Sequence, residues 1–465
     1  MLFSGIPFLF YFLPAMLSVY FIMPKRAKNA ALLLGSLLFY AWGEPRYVLL
    51  MAAVIVLGYV FGILIEKNRQ NRLGKLFTVL SVISGVGLLA YFKYADFFVE
   101  SFNGVTGLSV PLLKIALPIG ISFYTFQMLS YTIDVWRGQV KAQQNFINLA
   151  AYIAMFPQLI AGPIVRYSDI AGQLESRRHT LGGAALGIRR FALGLGKKVI
   201  IANTLGGLCG KFQASQEQSV LFAWLYLIAC ALQIYFDFSG YSDMAIGLGR
   251  ILGFDFPENF NYPFISKSVT EFWRRWHMTL GGWFRDYLYI PLGGNRAGMA
   301  RQIINILIVW TATGLWHGAA WNFVVWGLYF ALFLIIEKLF LGGFLKKSRV
   351  LGHIYIIFFV GISFVIFNAD TLSDAFKNIS LLFGRGAPPA TAESLFYLKS
   401  YAGVLLIALL GATPAAAKLC AFVRSKAAGE KILNLLEPFM IAALLLVCTA
   451  FLVNGSYNPF LYFRF

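Results

Sequence analysis

Long apolar runs alternate with short polar, often basic, connections along almost the whole chain. About 20 apolar residues in a helix cross a bilayer core of about 30 Å. Runs near that length fall at roughly 6–23, 30–44, 46–65, 76–97, 111–133, 145–161, 218–248, 303–336 as two, 352–368, 396–418 and 433–454. The pattern predicts an all-α polytopic membrane protein with about ten to thirteen crossings or re-entrant helices, forming one integral membrane domain over 1–465. The first run lacks a basic lead-in and a small-residue cleavage site, so it reads as a retained span.

Between Gly162 and Arg301 the pattern changes, with apolar stretches broken by Gly, Pro, Arg and aromatic clusters. Irregular backbone survives at membrane depth only where protein or a wet cavity satisfies its amides, which predicts a re-entrant or thinned core here. Within it, Ser266 to Tyr289 follows a helical period. Trp273, Trp276, Leu280, Trp283, Phe284 and Tyr287 share one stripe, and Glu271, Arg274, Arg275, Arg285 and Asp286 take the other face. That spacing predicts an amphipathic, interface-lying helix with His277 at the edge of its apolar stripe, ended by Pro291 and Gly293-Gly294. A polar stretch from about Asp370 to Glu393 separates later spans and is expected on the extracytoplasmic side.

Composition agrees with this solvent: 59% of residues are hydrophobic and only 13% charged, too few to coat a soluble surface. The net charge of +19 is dispersed between spans, which argues against nucleic acid as a partner. Its placement orients the chain. Lys25, Arg26 and Lys28 follow the first run, and Lys67, Arg69, Arg72 and Lys75 follow the third, as expected of cytoplasmic loops, so the N-terminus is predicted outside. The pairs Arg177-Arg178, Arg189-Arg190 and Lys197-Lys198, and the group Lys346, Lys347 and Arg349, fit cytoplasmic loops or interfacial helices near anionic lipid. Cys209, Cys230, Cys420 and Cys448 show no metal-ligand spacing and receive no catalytic role.

Histidine is scarce enough to be informative. Of the four, His179 lies in a basic polar loop and reads as solvated, and His353 opens an apolar run at its edge. His277 and His317 are set among apolar residues beside glycines, where an imidazole must find polar partners and faces a bundle interior or cavity. Each reads either as a satisfied core histidine or as a functional one. Asp237 and Asp243, with Ser239 between them, sit in an apolar run; they hold Arg274, Arg275 or another arginine, bond backbone amides at a helix break, or serve a tunnel. Gln127 and the Pro157–Pro163 stretch likewise line a channel or pack helices closely.

Three strings carry a family resemblance: Glu271-Phe-Trp-Arg-Arg-Trp-His277, Arg285-Asp-Tyr-Leu-Tyr-Ile-Pro-Leu-Gly-Gly-Asn-Arg296 and Gly314-Leu-Trp-His-Gly-Ala-Ala-Trp321. With Phe123-Tyr-Thr-Phe-Gln127, Pro157-Gln-Leu-Ile-Ala-Gly-Pro-Ile-Val-Arg166 and Tyr235-Phe-Asp-Phe-Ser-Gly-Tyr-Ser-Asp243, they resemble the membrane-bound O-acyltransferases (MBOAT), in the branch of alginate and peptidoglycan O-acetylation. The resemblance implies a helical bundle around a tunnel, with core motifs over about 118–330. It implies acyl transfer with His317 as catalytic base and His277 as second polar residue, supported by Trp273, Trp316 and Asn322. Acetyl-CoA or another acyl thioester is then the expected donor substrate, with no bound cofactor and no metal.

The aromatic tail 458–465 reads on composition as an interfacial anchor. It also resembles the tail of related acyl-export systems, which makes Tyr462 a candidate acyl relay. The chain offers no extracytoplasmic Ser, Asp and His set, so a separate esterase-like acetyltransferase is the expected partner, with an exported polysaccharide beyond it and the cytoplasmic (inner) membrane as location. D-alanyl transfer towards teichoic acid is a sibling reading. A proton-coupled transporter or polysaccharide channel is a different one, as is a scaffold for an export complex.

Overall fold

The computed structural model describes residues 3–296, 298–455 and 460, and its regular structure among these is helical throughout. Among the described residues, seven segments are long and apolar enough to cross a membrane: Pro45–Lys67, Arg72–Thr106, Val220–Ile251, Trp321–Leu345, Arg349–Asn368, Ala392–Gly411 and Ala427–Asn454, with Phe8–Ile22 a shorter apolar helix. The protein is a multi-pass membrane protein. By its internal packing the chain divides into two compact units, Met1–Phe191 with Met244–Pro257, and Ala192–Asp243 with Glu258–Phe465.

In the first unit, α1 (Leu13–Ile22) and α2 (Lys28–Gly43) form a hairpin, followed by α3 (Val48–Lys67), α4 (Arg72–Leu89) and α5 (Ala95–Thr106). The mostly buried α6 (Ile121–Arg137) packs on α3 and α4. The crossing expected at 111–133 begins only at Ile121, because 107–118 is non-helical: Gly107 takes a left-handed φ of 72°, and Pro111 and Pro118 have no amide to donate. The run at 145–161 is likewise split, into α7 (Phe146–Ala154) and the single turn α8 (Phe156–Leu159), both fully buried apart from the start of α7. α9 (Tyr167–Glu175) follows, and α10 (Leu181–Gly196) runs on into the second unit.

The second unit contains α11 (Asn203–Ala214) and most of α12 (Val220–Ile251). Here the largest departure from the periodicity occurs. The single amphipathic helix expected over 266–289 is three pieces: α13 (Val269–Trp273), α14 (Met278–Phe284) and a π-helical turn, Arg285–Tyr289. The break is at His277, which adopts φ 44° and ψ 51°. A left-handed residue reverses the backbone screw, so the stripe drawn for one continuous helix does not exist, although Trp276, Leu280, Trp283 and Phe284 are buried individually. α13 is anchored at its start by the buried Glu337 carboxylate, which accepts from Val269 N–H, Thr270 N–H and the Thr270 hydroxyl.

Beyond Gly298, α15 (Met299–His317) and α16 (Trp321–Ile336) realise the predicted pair of helices over 303–336. They make the most extensive helix–helix contact of the chain. Two glycines face each other across it: a Cβ on Gly314 would collide with the Phe323 carbonyl, and one on Gly327 with the Trp310 carbonyl. Small residues let backbones touch where lipid supplies no hydrophobic drive between helices. The short α17 (Gly342–Lys347) leads to α18 (Arg349–Asn368), which packs on α16; α19 (Leu372–Leu382) lies within the stretch read as a polar loop, and α20 (Ala392–Gly411), α21 (Ala415–Arg424) and α22 (Ala427–Asn454) complete the described helices.

Candidate active site

α15 ends on His317 because Gly318 is fully extended (φ −167°, ψ 154°) and its missing side chain leaves room for the Phe323 ring. His317 is 2% exposed. Its ring meets Trp326 edge-on at 4.9 Å and 84°, and Phe367 at 5.4 Å and 82°. Trp273 backs this wall, 5.7 Å from Trp326 and 4.9 Å from Phe330. Asn322, buried at the start of α16, donates to Ala369 O at 3.0 Å and ties that helix to the end of α18. An apolar cage on rigid helices restricts the imidazole to a narrow range of tilt, which is what a proton-transfer group requires.

His277 comes to the same place from 40 residues away. The Trp316 indole lies 5.0 Å from the His317 ring and 5.7 Å from the His277 ring, so the two imidazoles flank one indole. The tautomer of His277 follows from its partner. Asn259 Oδ1 accepts from the Thr279 hydroxyl at 2.9 Å and from Thr279 N–H at 3.4 Å, while Asn259 Nδ2 donates to Ser242 Oγ at 3.0 Å. With Oδ1 an acceptor, the 3.1 Å contact to His277 Nδ1 requires a proton on Nδ1. Nε2 then carries the lone pair, and it has no hydrogen-bond partner among the described residues. Burial pushes this imidazole down to about 3, so it is neutral.

Two measurements follow from this network. Asn259→Ala removes the oxygen shared by the buried Nδ1–H and the Thr279 hydroxyl and is expected to cost about 1–3 kcal/mol, read as a lower thermal midpoint in detergent. Because the folded value of His277 lies below that of an exposed imidazole, its effect on stability is constant above about pH 6.5 and turns unfavourable as the pH falls below it, where the unfolded chain takes up the proton first. A thermal midpoint insensitive to Asn259→Ala would remove the network from the account.

The other expected site residues divide. A lysine answers each of the two aspartates: Asp237 pairs with Lys198 at 2.5 Å, both side chains nearly fully buried, and Asp243 pairs with Lys197 at 2.6 Å. Lys197 and Lys198, read from sequence as a loop or interfacial pair, stand in a buried-side π-helical turn, Lys197–Ala202. Arg275 instead bonds Glu271 at 3.1 Å and Asn261 O at 3.2 Å, and Arg274 is exposed. Ser239 is buried, its hydroxyl without a partner among the described residues. Gln127 is fully buried in the first unit, with neither amide atom bonded among the described residues. His179, read as solvated, contacts Tyr20 Oη at 3.0 Å and Leu252 O at 3.1 Å, and His353 Nδ1 lies 3.1 Å from Ser266 O. Asn259, Ser242 and Lys198 were missed; an Asn in Glu258-Asn-Phe-Asn261, beside aromatic residues, was the available hint for the first.

Phe460 brings the last described part of the chain to this region. It is buried, 5.7 Å from Phe238 and 5.1 Å from Tyr241, and Phe238 in turn meets His277 edge-on at 4.7 Å. Tyr462, the candidate relay, lies outside the described residues.

Residues 81–372, which include both histidines and the Trp316 indole, match MBOAT, the membrane-bound O-acyltransferase family. The chain belongs to that family. As an acyltransferase it requires an acyl donor. It is 38% identical to the probable alginate O-acetylase AlgI of Pseudomonas putida over the full length of both chains. With the AlgI of Pseudomonas aeruginosa it shares 44% identity over 83% of this chain and 75% of that protein. The peptidoglycan O-acetyltransferase of Helicobacter pylori is 34% identical over 83% of this chain and 80% of its own length. For this acyltransferase the resemblance seen in its histidine motifs and the profile match therefore agree.

Proposed function

We propose that the acyltransferase carries acetyl groups from a cytoplasmic thioester, acetyl-CoA in the simplest case, across the inner membrane for O-acetylation of an exported polysaccharide of the alginate or peptidoglycan class. In the first step His317 takes the phenolic proton of Tyr462 as the tyrosine oxygen attacks the thioester carbonyl. The C–S bond breaks, the proton passes from the imidazole to the leaving thiolate, and the products are free thiol and an acetylated tyrosine. The neutral His277, with its Nε2 lone pair fixed by Asn259, orients the reacting groups or shares that proton. A separate extracytoplasmic esterase-like transferase then takes the acetyl group to the polymer. A buried, aromatic-lined site limits loss of the donor to water.

The observation that carries this reading is the seating of Phe460 on Phe238, a ring that also meets His277 edge-on. Tyr462 follows Phe460 by two residues in the sequence. The AlgI and peptidoglycan relatives, named as O-acetylating enzymes, support acetyl as the group.

The test is to incubate purified full-length protein in nanodiscs with acetyl-labelled acetyl-CoA and map the labelled peptide. Label is expected on the C-terminal peptide and is expected to disappear in Tyr462→Phe, whose ring fills the same volume without the nucleophile. A Tyr462→Phe protein that still takes up label there, or supports full polymer acetylation with its partner, overturns the relay.

A further inference from the structure

The first unit holds a second candidate site, far in sequence from the histidine motifs. A groove of about 360 Å³ lies between α1 and α2, lined by Met16 and Val19 of α1 with Phe12 just before that helix and Met23 just after it, and by Ala30 and Leu34, among others, of α2. Phe12, Met16 and Val19 recur at helical spacing along one face, and Val19 and Leu34 are well exposed. From Phe12 to Met23 the groove spans 11 residues of rise, about 16 Å, which is half of a hydrocarbon core of about 30 Å. That is the depth of one leaflet.

Cations gather where the groove ends at the α1–α2 turn. Lys25 and Arg26 form the turn between Met23 and Ala27, exposed to solvent. Lys28 Nζ donates to Tyr20 O at 2.7 Å and lies 4.6 Å from the centre of the Tyr20 ring. Arg177 reaches in from beyond α9: its Nε donates to Tyr20 Oη at 2.8 Å, its Nη1 to Asn29 Oδ1 at 2.7 Å, and its guanidinium lies over Phe254 at 4.4 Å. His179 shares the Tyr20 hydroxyl.

What distinguishes this cluster is the absence of a counter-charge. Lys25, Arg26, Lys28 and Arg177 meet no carboxylate among the described residues, and the buried Arg177 Nη2 has no acceptor there either. Burial holds the His179 imidazole below its ordinary range, and the charges of Lys28, Arg177 and Lys25 add to that effect. Like charges held together without an anion destabilise one another, and a bound anion removes that repulsion.

We propose that the α1–α2 groove binds an anionic phospholipid of the cytoplasmic leaflet, one acyl chain lying along Phe12, Met16, Val19 and Met23 and the phosphate at Lys25, Lys28 and Arg177. The occupant is amphipathic because the site is: an apolar channel one leaflet deep is continuous with a cationic end that the excess of Lys and Arg assigns to the cytoplasmic side.

Native mass spectrometry of the detergent-purified full chain, titrated with phosphatidylglycerol or phosphatidylcholine of identical acyl chains, tests this. Phosphatidylglycerol is expected to bind about ten-fold more tightly, since each nearby Lys or Arg favours an anionic headgroup. Lys25→Gln with Lys28→Gln, at the solvent edge of the cluster, is expected to abolish the preference. Ala30→Phe, which fills the groove, is expected to weaken both lipids alike. Equal binding of the two lipids by the wild type, a preference that survives the double substitution, or displacement of phosphatidylglycerol by inorganic phosphate at the same concentration overturns the proposal. Lys25→Gln alone, on an exposed turn, gives a partial loss of preference in a protein whose packing is untouched.

Discussion

His317→Ala is expected to lower acetyl transfer by about 10²–10⁴-fold, the range for loss of a positioned general base. Its location carries the expectation: the imidazole stands at the helix end where aromatic rings of α15, α16 and α18 converge, beside Trp316, Trp326 and Phe367, none of which can act as a base. Alanine also opens a cavity in that cage, so His317→Gln, which keeps most of the volume and one polar end, belongs beside it. Single-turnover formation of the labelled tyrosine measures the step directly. Comparable losses in both variants, with thermal midpoints near wild type for Gln, assign the loss to chemistry. Full transfer by both would leave a scaffold or another base as the explanation.

Gly327→Val is expected to have the largest effect on folding. A Cβ at Gly327 already collides with the Trp310 carbonyl, and backbone does not yield as a flexible side-chain end does. Either α15 and α16 separate along their contact or the hairpin fails to form; overpacking of this kind costs about 1–3 kcal/mol or more. Because His317 ends one of these helices, any separation moves the imidazole away from Trp326. Loss of the monodisperse peak or a sharply lower thermal midpoint, accompanied by loss of transfer, is the expected result. Gly403→Ala is the control: nothing lies within 4 Å of its Cβ, and alanine in an exposed helix interior is neutral or slightly stabilising. If Gly327→Val behaved like the control, the close approach of the two helices would be wrong.

Much of the site was legible from residues alone, for identifiable reasons. A histidine in Gly-Leu-Trp-His-Gly within an apolar run must find polar partners, which marked it as either a satisfied core residue or a functional one. The pairing of His317 with His277 was a family expectation; that they flank a single Trp316 indole is a fact of packing. The failures are equally specific. A wheel drawn at 100° per residue assumes one screw sense, so it carried the stripe of 266–289 through His277, where a left-handed φ breaks it. Charge spacing sent Lys198 to a cytoplasmic loop or an interfacial helix, because nothing local to Lys197-Lys198 reveals a carboxylate about 40 residues later on α12.

The sequence by itself determined the solvent and the position of most apolar spans: transfer of an apolar segment into lipid depends on that segment's own composition and length, so it can be read without neighbours. It also determined the family, through motifs whose residue types are set by chemistry. Only the tertiary structure decided which polar groups meet: that Asn259 orients His277, that Asp237 answers Lys198, and that Phe460 seats against Phe238. Hydrogen bonds and ion pairs act over about 3 Å between residues tens or hundreds of positions apart, and that distance is set by helix packing.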